Sequence, residues 1–229
     1  MTIFVKNISV IKNIKGNFVF LIPYLIIIIF ASIILLMYDK AAVHIFLNSH
    51  HNSFFDIFFK YWTHLGHGFF AFFISLLLLF VKYKWAVISA FSNISISLIV
   101  QLLKRLVFSE NFRPSFYFKY FYEGEFDLYT VPGAEPGMLH SFPSGHAATA
   151  FACFFLLSII VNKNYLKVIF LLSAILVAYS RIYLSWHFLG DTLAGSAIGL
   201  VITLIIIYLM SKNNKEWLES NIISKKINM

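Results

Sequence analysis

The sequence predicts an all-α integral membrane protein, a single domain of six transmembrane helices with a loop and interfacial-helix region on one side. Three observations lead to this fold class. The 229 residues are 60% hydrophobic and only 12% charged, whereas about 25% of the residues in a soluble domain are charged. The mean hydropathy is +0.81. Six apolar runs approach the roughly 20 residues that cross a bilayer, and no Pro/Gly/Ser-rich linker or internal repeat divides them.

The six predicted spans follow one another along the chain. They cover residues 18–38, 66–81, 85–107, 147–161, 166–180 and 188–210. Lysines precede the first run, but its apolar core is too long for a signal peptide and no small-residue cleavage site follows it. The second, fourth and fifth runs are short, so we expect their ends to extend into the flanking segments. The single cysteine, Cys153, lies inside an apolar run, so no intramolecular disulfide can form.

The lysines between the apolar runs predict the side of the membrane on which each segment lies. Six spans place both termini on one side, with the turns after the second and fourth spans. That side carries eleven lysines and two acidic residues, which are Lys6, Lys12, Lys15, Lys82, Lys84, Lys163, Lys167, Lys212, Lys215, Lys225, Lys226, Glu216 and Glu219. The other side keeps seven of the 18 basic residues and eight of the 10 acidic ones. We therefore expect a multi-pass inner-membrane protein with cytoplasmic termini, and we expect no nucleic-acid partner despite the net charge of +8.

Two segments on the predicted outer side are more than plain loops. Residues 44–62 mix phenylalanines with charged side chains, which predicts an amphipathic helix lying in the membrane interface. Residues 108–142 form a long loop crowded with aromatic side chains, which favour the headgroup layer. Two interpretations of this loop are open: a cap that rests on the membrane, or a lid that gathers lipid over a site.

The spacing of His187 and Asp191, at the start of the sixth span, indicates a catalytic histidine. Residues four apart lie on one face of a helix. A carboxylate there accepts the proton on Nδ1, fixes the tautomer and leaves Nε2 free as a nucleophile. The same pair could be a metal ligand with its supporting carboxylate, or a structural contact. The chain has no HExxH motif and no carboxylate cluster, and neighbouring cations repel a divalent ion, so we expect no metal.

A second candidate segment is Ser144-Gly145-His146, which follows Pro143 and begins the fourth span. Free N–H groups at a helix N-terminus bind phosphate, and a glycine lets the backbone approach closely. Ser144 can add a hydroxyl or cap the helix. His146 then lies in the first turn, where it can protonate a leaving alkoxide as a general acid. The alternative is an ordinary N-cap followed by a surface histidine.

Four basic side chains near span ends form the third group: Lys104, Arg105, Arg113 and Arg181. A cation inside a membrane protein normally has a partner, because inserting it costs roughly 2.5–3.5 kcal/mol. Such side chains can also extend to the interface, and this explanation is strongest for Arg105. Guanidinium groups match phosphate oxygens in pairs, which favours an anion site.

These segments resemble the three signature motifs of the type 2 phosphatidic acid phosphatase family, which includes vanadium haloperoxidases and glucose-6-phosphatase. The second motif, Pro-Ser-Gly-His, matches at residues 143–146. The third, Ser-Arg, five residues, His, three residues, Asp, matches at residues 180–191. The first departs from the family's Lys, six residues, Arg-Pro, because eight residues separate Lys104 from Arg113-Pro114. We expect the loop after the third span to absorb the two extra residues. The resemblance covers about residues 44–207.

The resemblance implies a metal-independent lipid phosphatase or diphosphatase without a cofactor. It implies that Lys104, Arg113, Arg181 and the Ser144/Gly145 backbone bind the phosphoryl oxygens. His187, oriented by Asp191, would attack phosphorus and form a phosphohistidine. His146 would protonate the leaving group and then activate water. The expected partners are the bilayer and a lipid phosphate: phosphatidylglycerophosphate, phosphatidate, undecaprenyl diphosphate or lipid A.

Two other functions stay open at this point. One is a phosphotransferase that uses the same site with an acceptor other than water. The other is a non-catalytic protein that binds or transports anionic lipids, although binding alone needs no nucleophile. The sequence does not indicate the oligomeric state. It assigns no role to the remaining histidines, which are His44, His50, His51, His64, His67 and His140.

Overall fold

The computed structural model describes residues 16–124, 126–213 and 215–223, and within these ranges the chain forms helices and no strand. The α-helices are α1 (Phe18–Met37), α2 (Lys40–Asn48), α3 (Ser53–Trp62), α4 (Gly68–Leu78), α5 (Tyr83–Leu102), α6 (Pro114–Tyr120), α7 (Gly145–Ile160), α8 (Asn164–Tyr183) and α9 (Leu189–Ser211). Short 3₁₀ helices cover Thr63–Gly66 and Glu216–Glu219, and a π-helical turn covers Leu103–Val107. The predicted all-α class is confirmed.

Each predicted span coincides with an apolar helix, but helix length alone does not establish the count of six. Among the described residues, four helices are long and apolar enough to cross a bilayer: α1, α5 with its π turn, α8 and α9. Ser53–Gly66 and Gly68–Leu78, bent by 56° relative to each other, make a fifth if the pair counts as one span. The remaining helix, α7, has 16 residues. At 1.5 Å per residue it is about 24 Å long, shorter than a hydrocarbon core of about 30 Å.

The short helix α7 lies at the centre of the bundle, between α8 and α9. Ten of its 16 residues are buried, among them Ala147, Ala148, Ala150 and Ala152. Small side chains let neighbouring backbones approach closely in membrane proteins. The outermost helix, α1, is in contrast mostly exposed and meets α8 and α9 along one side. The catalytic candidates Ser144 to His146 therefore begin the most enclosed helix of the fold.

Glycines set the contact between α7 and α9. A Cβ atom at Gly195 would lie 2.2 Å from the Ser144 carbonyl oxygen, and one at Gly199 would lie 2.1 Å from the Ala148 carbonyl oxygen. Because real atoms cannot approach so closely, the two helices require glycine at both positions. This Gly-x-x-x-Gly spacing is typical of tightly crossing membrane helices. It holds the start of α7 against the first turn of α9, where Asp191 lies.

We expect Gly199→Ala to destabilise the protein by about 1–3 kcal/mol, the usual range for overpacking. The added methyl group would meet the Ala148 backbone, which cannot move like a flexible side chain. The melting temperature in detergent measures this effect. Gly68→Ala is the matched control, because a Cβ atom at Gly68 meets no atom within 4 Å. Equal melting temperatures for the two variants would contradict the assigned contact.

The predicted single interfacial helix over 44–62 is wrong. The structure breaks it at residues 49–52 into α2 and α3, because the side chain of Asn52 accepts a hydrogen bond from the Phe55 amide (2.9 Å) and begins a new helix. Helix α3 continues through the 3₁₀ turn towards α4 as part of the bent pair. His44, in α2, does not face the interface, since it is fully buried against the rings of Phe118 and Phe188.

The aromatic segment 108–142 is irregular apart from α6. Some of its rings point into the protein: Phe118 contacts both His44 of α2 and Phe188, which precedes α9. Other rings, including Tyr120 and Phe121, are exposed. The segment thus covers the end of the bundle where the three motifs lie, and both the cap and the lid interpretations stay predictions.

The opposite end of the bundle carries the described lysines that were predicted to be cytoplasmic. Lys82, the N-cap of α5, and Lys84, in its first turn, both contact Glu219 of the C-terminal segment, at 2.8 and 3.2 Å. The Tyr83 amide also donates to the Ser220 carbonyl. Lys6, Lys12, Lys15, Lys225 and Lys226, which also entered the topology argument, lie outside the described residues.

Candidate active site

Backbone hydrogen bonds join the three motifs at one end of the bundle. The Ser144 amide donates to the Asp191 carbonyl (2.9 Å), which links the second motif to the third. The Arg113 amide donates to the Met138 carbonyl (2.9 Å), and the Ser141 amide donates to the Asn111 carbonyl (3.0 Å). The loop that carries the first motif is thereby held against the residues that lead into the second.

His187 and Asp191 are in contact as predicted, but not because they share one face of a helix. Helix α9 begins at Leu189, so His187 precedes the helix and does not share its face. The Asp191 carboxylate folds back over the helix N-terminus, where Oδ2 accepts from the Phe188 amide (3.0 Å) and lies 3.3 Å from His187 Nδ1. Because a carboxylate only accepts, this contact puts the imidazole proton on Nδ1 and leaves Nε2 with a free lone pair.

Ser141 completes this arrangement and was missed in the sequence. Its hydroxyl donates to Asp191 Oδ2 (2.5 Å) and lies 3.4 Å from His187 Nδ1, and the side chain is buried. The carboxylate therefore has three polar neighbours that fix its orientation. Ser141 lies only two residues before the second motif, but a serine in a loop carries no signal for contact with a residue fifty positions away.

The imidazole of His187 is only 2% exposed. Burial lowers its pKa well below the ordinary value, and the nearby charges of Arg181, Arg113 and Lys104 lower it further. At neutral pH the ring is therefore uncharged, which is the form that a nucleophile or a base requires.

Both arginines lie over the indole of Trp186. The guanidinium carbon of Arg181 is 4.4 Å from the ring centre, and that of Arg113 is 5.0 Å from it. Arg181 is buried and donates from Nη1 to the hydroxyl of Thr63 (2.7 Å), while its Nε has no partner within the described residues. Burial lowers the pKa of Arg113, which stays cationic because guanidinium starts so high. An anion at this position would meet two oriented guanidinium groups.

Of the two adjacent cations Lys104 and Arg105, we expect the buried one, Lys104, to serve the site. Lys104 is buried and donates from Nζ to the His140 carbonyl (2.8 Å), whereas Arg105 is exposed. Lys104 lies in the π-helical turn, which is closed by the Phe108 amide donating to the Leu103 carbonyl (2.8 Å). A π turn is wider than an α turn and rotates the residues within it. Part of the extra length in the first motif is thus absorbed inside the helix and not only in the loop after it.

We expect Lys104→Ala to lower kcat/KM for phosphate release by about 10²-fold, the usual effect of losing one charged contact to the reacting group. Arg105→Ala is the matched control, since it removes the adjacent cation from an exposed position, and we expect kcat/KM to change by less than about twofold. Initial rates on a lipid phosphomonoester in detergent micelles measure both. A larger loss in the Arg105 variant would reverse the assignment.

The second motif begins helix α7 as predicted. Ser144 is the N-cap residue, but its hydroxyl does not cap the helix and has no partner within the described residues, although it is fully buried. The first amides of α7, from Gly145 onwards, have no partner in the preceding turn by the geometry of a helix. The imidazole of His146 lies within electrostatic reach of Arg181 and His187. A free hydroxyl, helix amides and a second imidazole are what an anionic oxygen and its leaving group require.

Two further residues position the site and left no signal in the sequence. Asn48, buried at the end of α2, donates to the carbonyls of Ile182 (3.2 Å) and Tyr183 (2.9 Å) at the end of α8. It also contacts the hydroxyl of Ser185 (3.1 Å), whose φ of 55° places it in the left-handed region. Asn48 thus holds the tight turn that leads from Arg181 to His187. Thr63 positions Arg181 itself, because its hydroxyl accepts the hydrogen bond from Nη1.

Of the other histidines, His140 contacts the group, because its carbonyl accepts from Lys104 and its Nδ1 lies 3.2 Å from the Lys104 carbonyl oxygen. His64 and His67 are exposed, and His67 begins α4, with its ring centre 5.7 Å from that of His146. His51 lies between the rings of Tyr129 and Tyr183 and contacts Asp56 (3.3 Å). Within residues 16–124, 126–213 and 215–223, no group of three or more His, Cys, Asp or Glu residues could hold a metal ion.

Two cavities adjoin the site. One, of about 450 Å³, is lined by Lys104, Arg105, Arg113 and His140 on the side of the cations. The other, of about 500 Å³, is lined by His146 and continues between α4, α5 and α7. Gln101 lines both cavities.

The family to which the chain belongs follows from its similarity to known proteins. The model of the PAP2 superfamily matches residues 85–215, more than half of the chain. The chain belongs to the PAP2 superfamily. The family resemblance predicted from the three motifs is therefore confirmed. The matched range includes Lys104, Arg113, the 143–146 segment and the His187/Asp191 pair.

Individual PAP2 proteins are similar to this chain over different lengths. Over 73 residues it is 36% identical to the lipid A 4′-phosphatase of Bacteroides thetaiotaomicron. That match covers 32% of the chain and 32% of the relative, so it spans about a third of the relative's length.

Solved structures support the PAP2 fold over most of the chain. The crystal structure of Aquifex aeolicus LpxE has a TM-score of 0.63 and 26% identity, and the match covers 73% of this chain and 93% of that one. The first transmembrane PAP2 type phosphatidylglycerolphosphate phosphatase from Bacillus subtilis has a TM-score of 0.62, with 85% and 98% covered. At 19% identity, the second likeness concerns the fold alone. A multi-pass membrane protein of PAP2 architecture follows from these findings and the apolar helices.

Proposed function

We propose that this protein is a metal-independent membrane lipid phosphatase that transfers a phosphoryl group first to His187 and then to water. The observation that carries the proposal is the buried imidazole of His187, which Asp191 orients and beside which Arg113 and Arg181 lie over the ring of Trp186. A binding protein for anionic lipids would need the cations but not an oriented nucleophile.

The proposed reaction has two steps. His187 Nε2 attacks phosphorus, and the bond to the leaving oxygen breaks as His146, which the negative charge of the bound phosphate keeps protonated, donates a proton to it. Lys104, Arg113, Arg181 and the first amides of α7 hold the three other oxygens and stabilise their charge in the transition state. His146, now without that proton, accepts one from a water molecule, which attacks the phosphohistidine and releases inorganic phosphate. The proton on Nδ1 stays with His187, where the Asp191 carboxylate accepts a hydrogen bond from it.

The fixed cations supply the charge stabilisation that Mg²⁺ supplies in many phosphoryl-transfer enzymes. Three positive charges already surround the nucleophile, so a divalent ion would be repelled from the same space. We infer that the enzyme needs no metal.

The substrate class that we propose is a lipid phosphomonoester or diphosphate at the outer face of the inner membrane. The apolar helices and the exposed aromatic rings of segment 108–142 favour a substrate that stays in the bilayer. The described lysines of the opposite end favour a cytoplasmic location for that end. The 36% identity to a lipid A 4′-phosphatase makes a phosphorylated glycolipid the first substrate to test.

A phosphate-release panel tests this proposal. The purified protein is assayed in EDTA with lipid A, phosphatidate, phosphatidylglycerophosphate and undecaprenyl diphosphate, and lipid products are separated to detect transfer to an acceptor other than water. We expect release of inorganic phosphate from at least one lipid, with equal rates in EDTA and in Mg²⁺. Activity that disappears in EDTA and returns with a divalent ion would contradict the metal-free mechanism. Transfer to a lipid acceptor without phosphate release would favour a phosphotransferase.

A further inference from the structure

One part of the long loop between α6 and α7 is packed firmly against the protein. Residues 129–134, which we call the strap, contact both α3 and the end of α8. Val131, in the strap, is only 3% exposed and packs in one cluster with Phe59 of α3 and Tyr183 of α8. Most of the loop around the strap is exposed. The strap therefore belongs to the packed interior at this end of the bundle.

Hydrogen bonds from side chains also join the strap to α3. The Tyr129 hydroxyl donates to Oδ2 of Asp56 (2.8 Å). The ammonium group of Lys60 donates to the Pro132 carbonyl (2.9 Å). Asp56 accepts a further hydrogen bond from the Tyr183 hydroxyl (2.6 Å). One carboxylate thus connects the strap, α3 and the end of α8.

The strap contains a turn of defined shape. The Ala134 amide donates to the Val131 carbonyl (3.1 Å), and Gly133 has a φ of 70°. Proline in the second place and glycine in the third are typical of a type II turn, which requires a positive φ at the third residue. The strap therefore holds the backbone around Ala134 in one conformation.

The strap reaches the phosphate site through Trp186, the residue before His187. The Ala134 carbonyl accepts a hydrogen bond from Trp186 Nε1 (2.8 Å). The indole ring in turn contacts the guanidinium groups of Arg181 (4.4 Å) and Arg113 (5.0 Å). The Trp186 carbonyl also accepts from Nη1 of Arg113 (3.4 Å). Trp186 thus connects the strap to both arginines.

The two arginines need such a contact because their like charges repel each other while no anion is bound. The face of an indole attracts a cation, so one ring can hold both guanidinium groups. An indole that rotated freely would direct neither of them. The hydrogen bond from Nε1 to the strap fixes the orientation of the ring, and with it the positions of both guanidinium groups.

We infer that the strap and Trp186 are a positioning element of the phosphate site: the strap fixes the indole, and the indole directs Arg113 and Arg181 towards the phosphoryl oxygens. Both act through the arginines and need no contact with the substrate. This part of the loop is a fixed support and not a lid. The inference rests on the proposed phosphatase function, and it adds to the site a segment outside the three motifs.

A double-mutant cycle between Trp186 and Arg181 tests the inference. Trp186→Leu should lower kcat/KM for p-nitrophenyl phosphate about thirtyfold and mainly through kcat, the effect of two lost cation–π contacts. In an Arg181→Lys background the same change should cost less than about fivefold, because the group on which the indole acts is already altered. A thirtyfold loss in both backgrounds would overturn the inference. Trp186→Phe, which keeps a ring for the cations, should stay within about fivefold of the unmodified protein.

A second test loosens the strap without changing Trp186. Lys60→Met/Tyr129→Phe removes both hydrogen bonds to α3, and we expect kcat to fall about fivefold. Lys119→Met/Tyr120→Phe is the matched control, because it makes the same two changes at exposed positions of α6, and kcat should change by less than about twofold. Melting temperatures in detergent show that both variants fold. Equal kcat values for the two double variants would contradict the role of the strap.

Failure of the proposed function is distinguishable from failure of this inference. If the unmodified protein hydrolyses neither p-nitrophenyl phosphate nor a lipid phosphate, the dissociation constant of inorganic phosphate still tests the positioning of the arginines. Trp186→Leu should then weaken phosphate binding at least about fivefold, with no change in the Lys119→Met/Tyr120→Phe control. Equal dissociation constants for Trp186→Leu and the unmodified protein, or no phosphate binding by the unmodified protein, would overturn the inference.

Discussion

Replacing His187 with alanine is expected to lower kcat for phosphate release by at least about 10⁴-fold, the scale seen when a nucleophile is removed. The physical reason is that the pocket offers no other group in its place. The Asp191 carboxylate accepts hydrogen bonds from the Phe188 amide and the Ser141 hydroxyl, and His146 lies in the first turn of another helix. Water would have to attack directly, with only the cations to stabilise the transition state.

Single-turnover kinetics on a lipid phosphomonoester measure this loss without interference from product release. His64→Ala is the matched control, because His64 is an exposed histidine outside the site, and its rate should stay within about twofold. If the His187 variant were nearly as active as the unmodified protein, His187 could not be the nucleophile.

Replacing Arg181 with lysine is expected to lower kcat/KM by about 10²–10³-fold, because the charge is kept while the planar fork is lost. The Arg181 guanidinium is fixed by the Thr63 hydroxyl and by the face of Trp186, and a lysine ammonium reproduces neither contact in full. The loss should appear in kcat more than in KM, because the guanidinium of Arg181 matches the negative charge that is distributed over the phosphoryl oxygens in the transition state.

Thr63 provides an independent check on this account of Arg181. Thr63→Val removes the hydroxyl at nearly constant volume and should lower kcat about tenfold, whereas Thr63→Ser, which retains the hydroxyl, should restore most of it. The melting temperature of each variant separates a local effect from loss of folding. If lysine at position 181 supported full activity, then charge alone would be sufficient and the bidentate contact would not be part of the mechanism.

The outline of the site could be predicted from the sequence because its chemistry is concentrated in short segments. The Pro-Ser-Gly-His segment begins a helix, as the spacing of Pro143 and the following apolar run indicates. Arg113 and Arg181 are expensive in a membrane protein, so their presence alone pointed to an anion. The order of apolar runs likewise predicted the order of the long helices.

The supporting residues could not be predicted, for a physical reason. Asn48 and Thr63 act on the end of α8 from more than a hundred positions away, and their residue types are common in any loop or helix end. Their roles follow from the tertiary fold, which brings α2 and the bent pair against α8. The break at Asn52 coincides with the polar stretch 48–53, but the phenylalanines on both sides dominate the pattern of 44–62, and the N-cap of α3 is a single side-chain contact.

The central claim is that His187 carries the phosphoryl group during turnover. The intermediate is trapped with an alkaline quench, because a phosphohistidine survives base better than acid. His146→Ala is mixed with an activated phosphomonoester, whose leaving group needs no proton, and the quenched protein is digested and analysed by mass spectrometry. The account predicts one added phosphoryl group on the peptide that contains His187, accumulating because His146 no longer activates water. A phosphoryl group on another residue, or hydrolysis of the activated substrate without any phosphorylated protein, would contradict it.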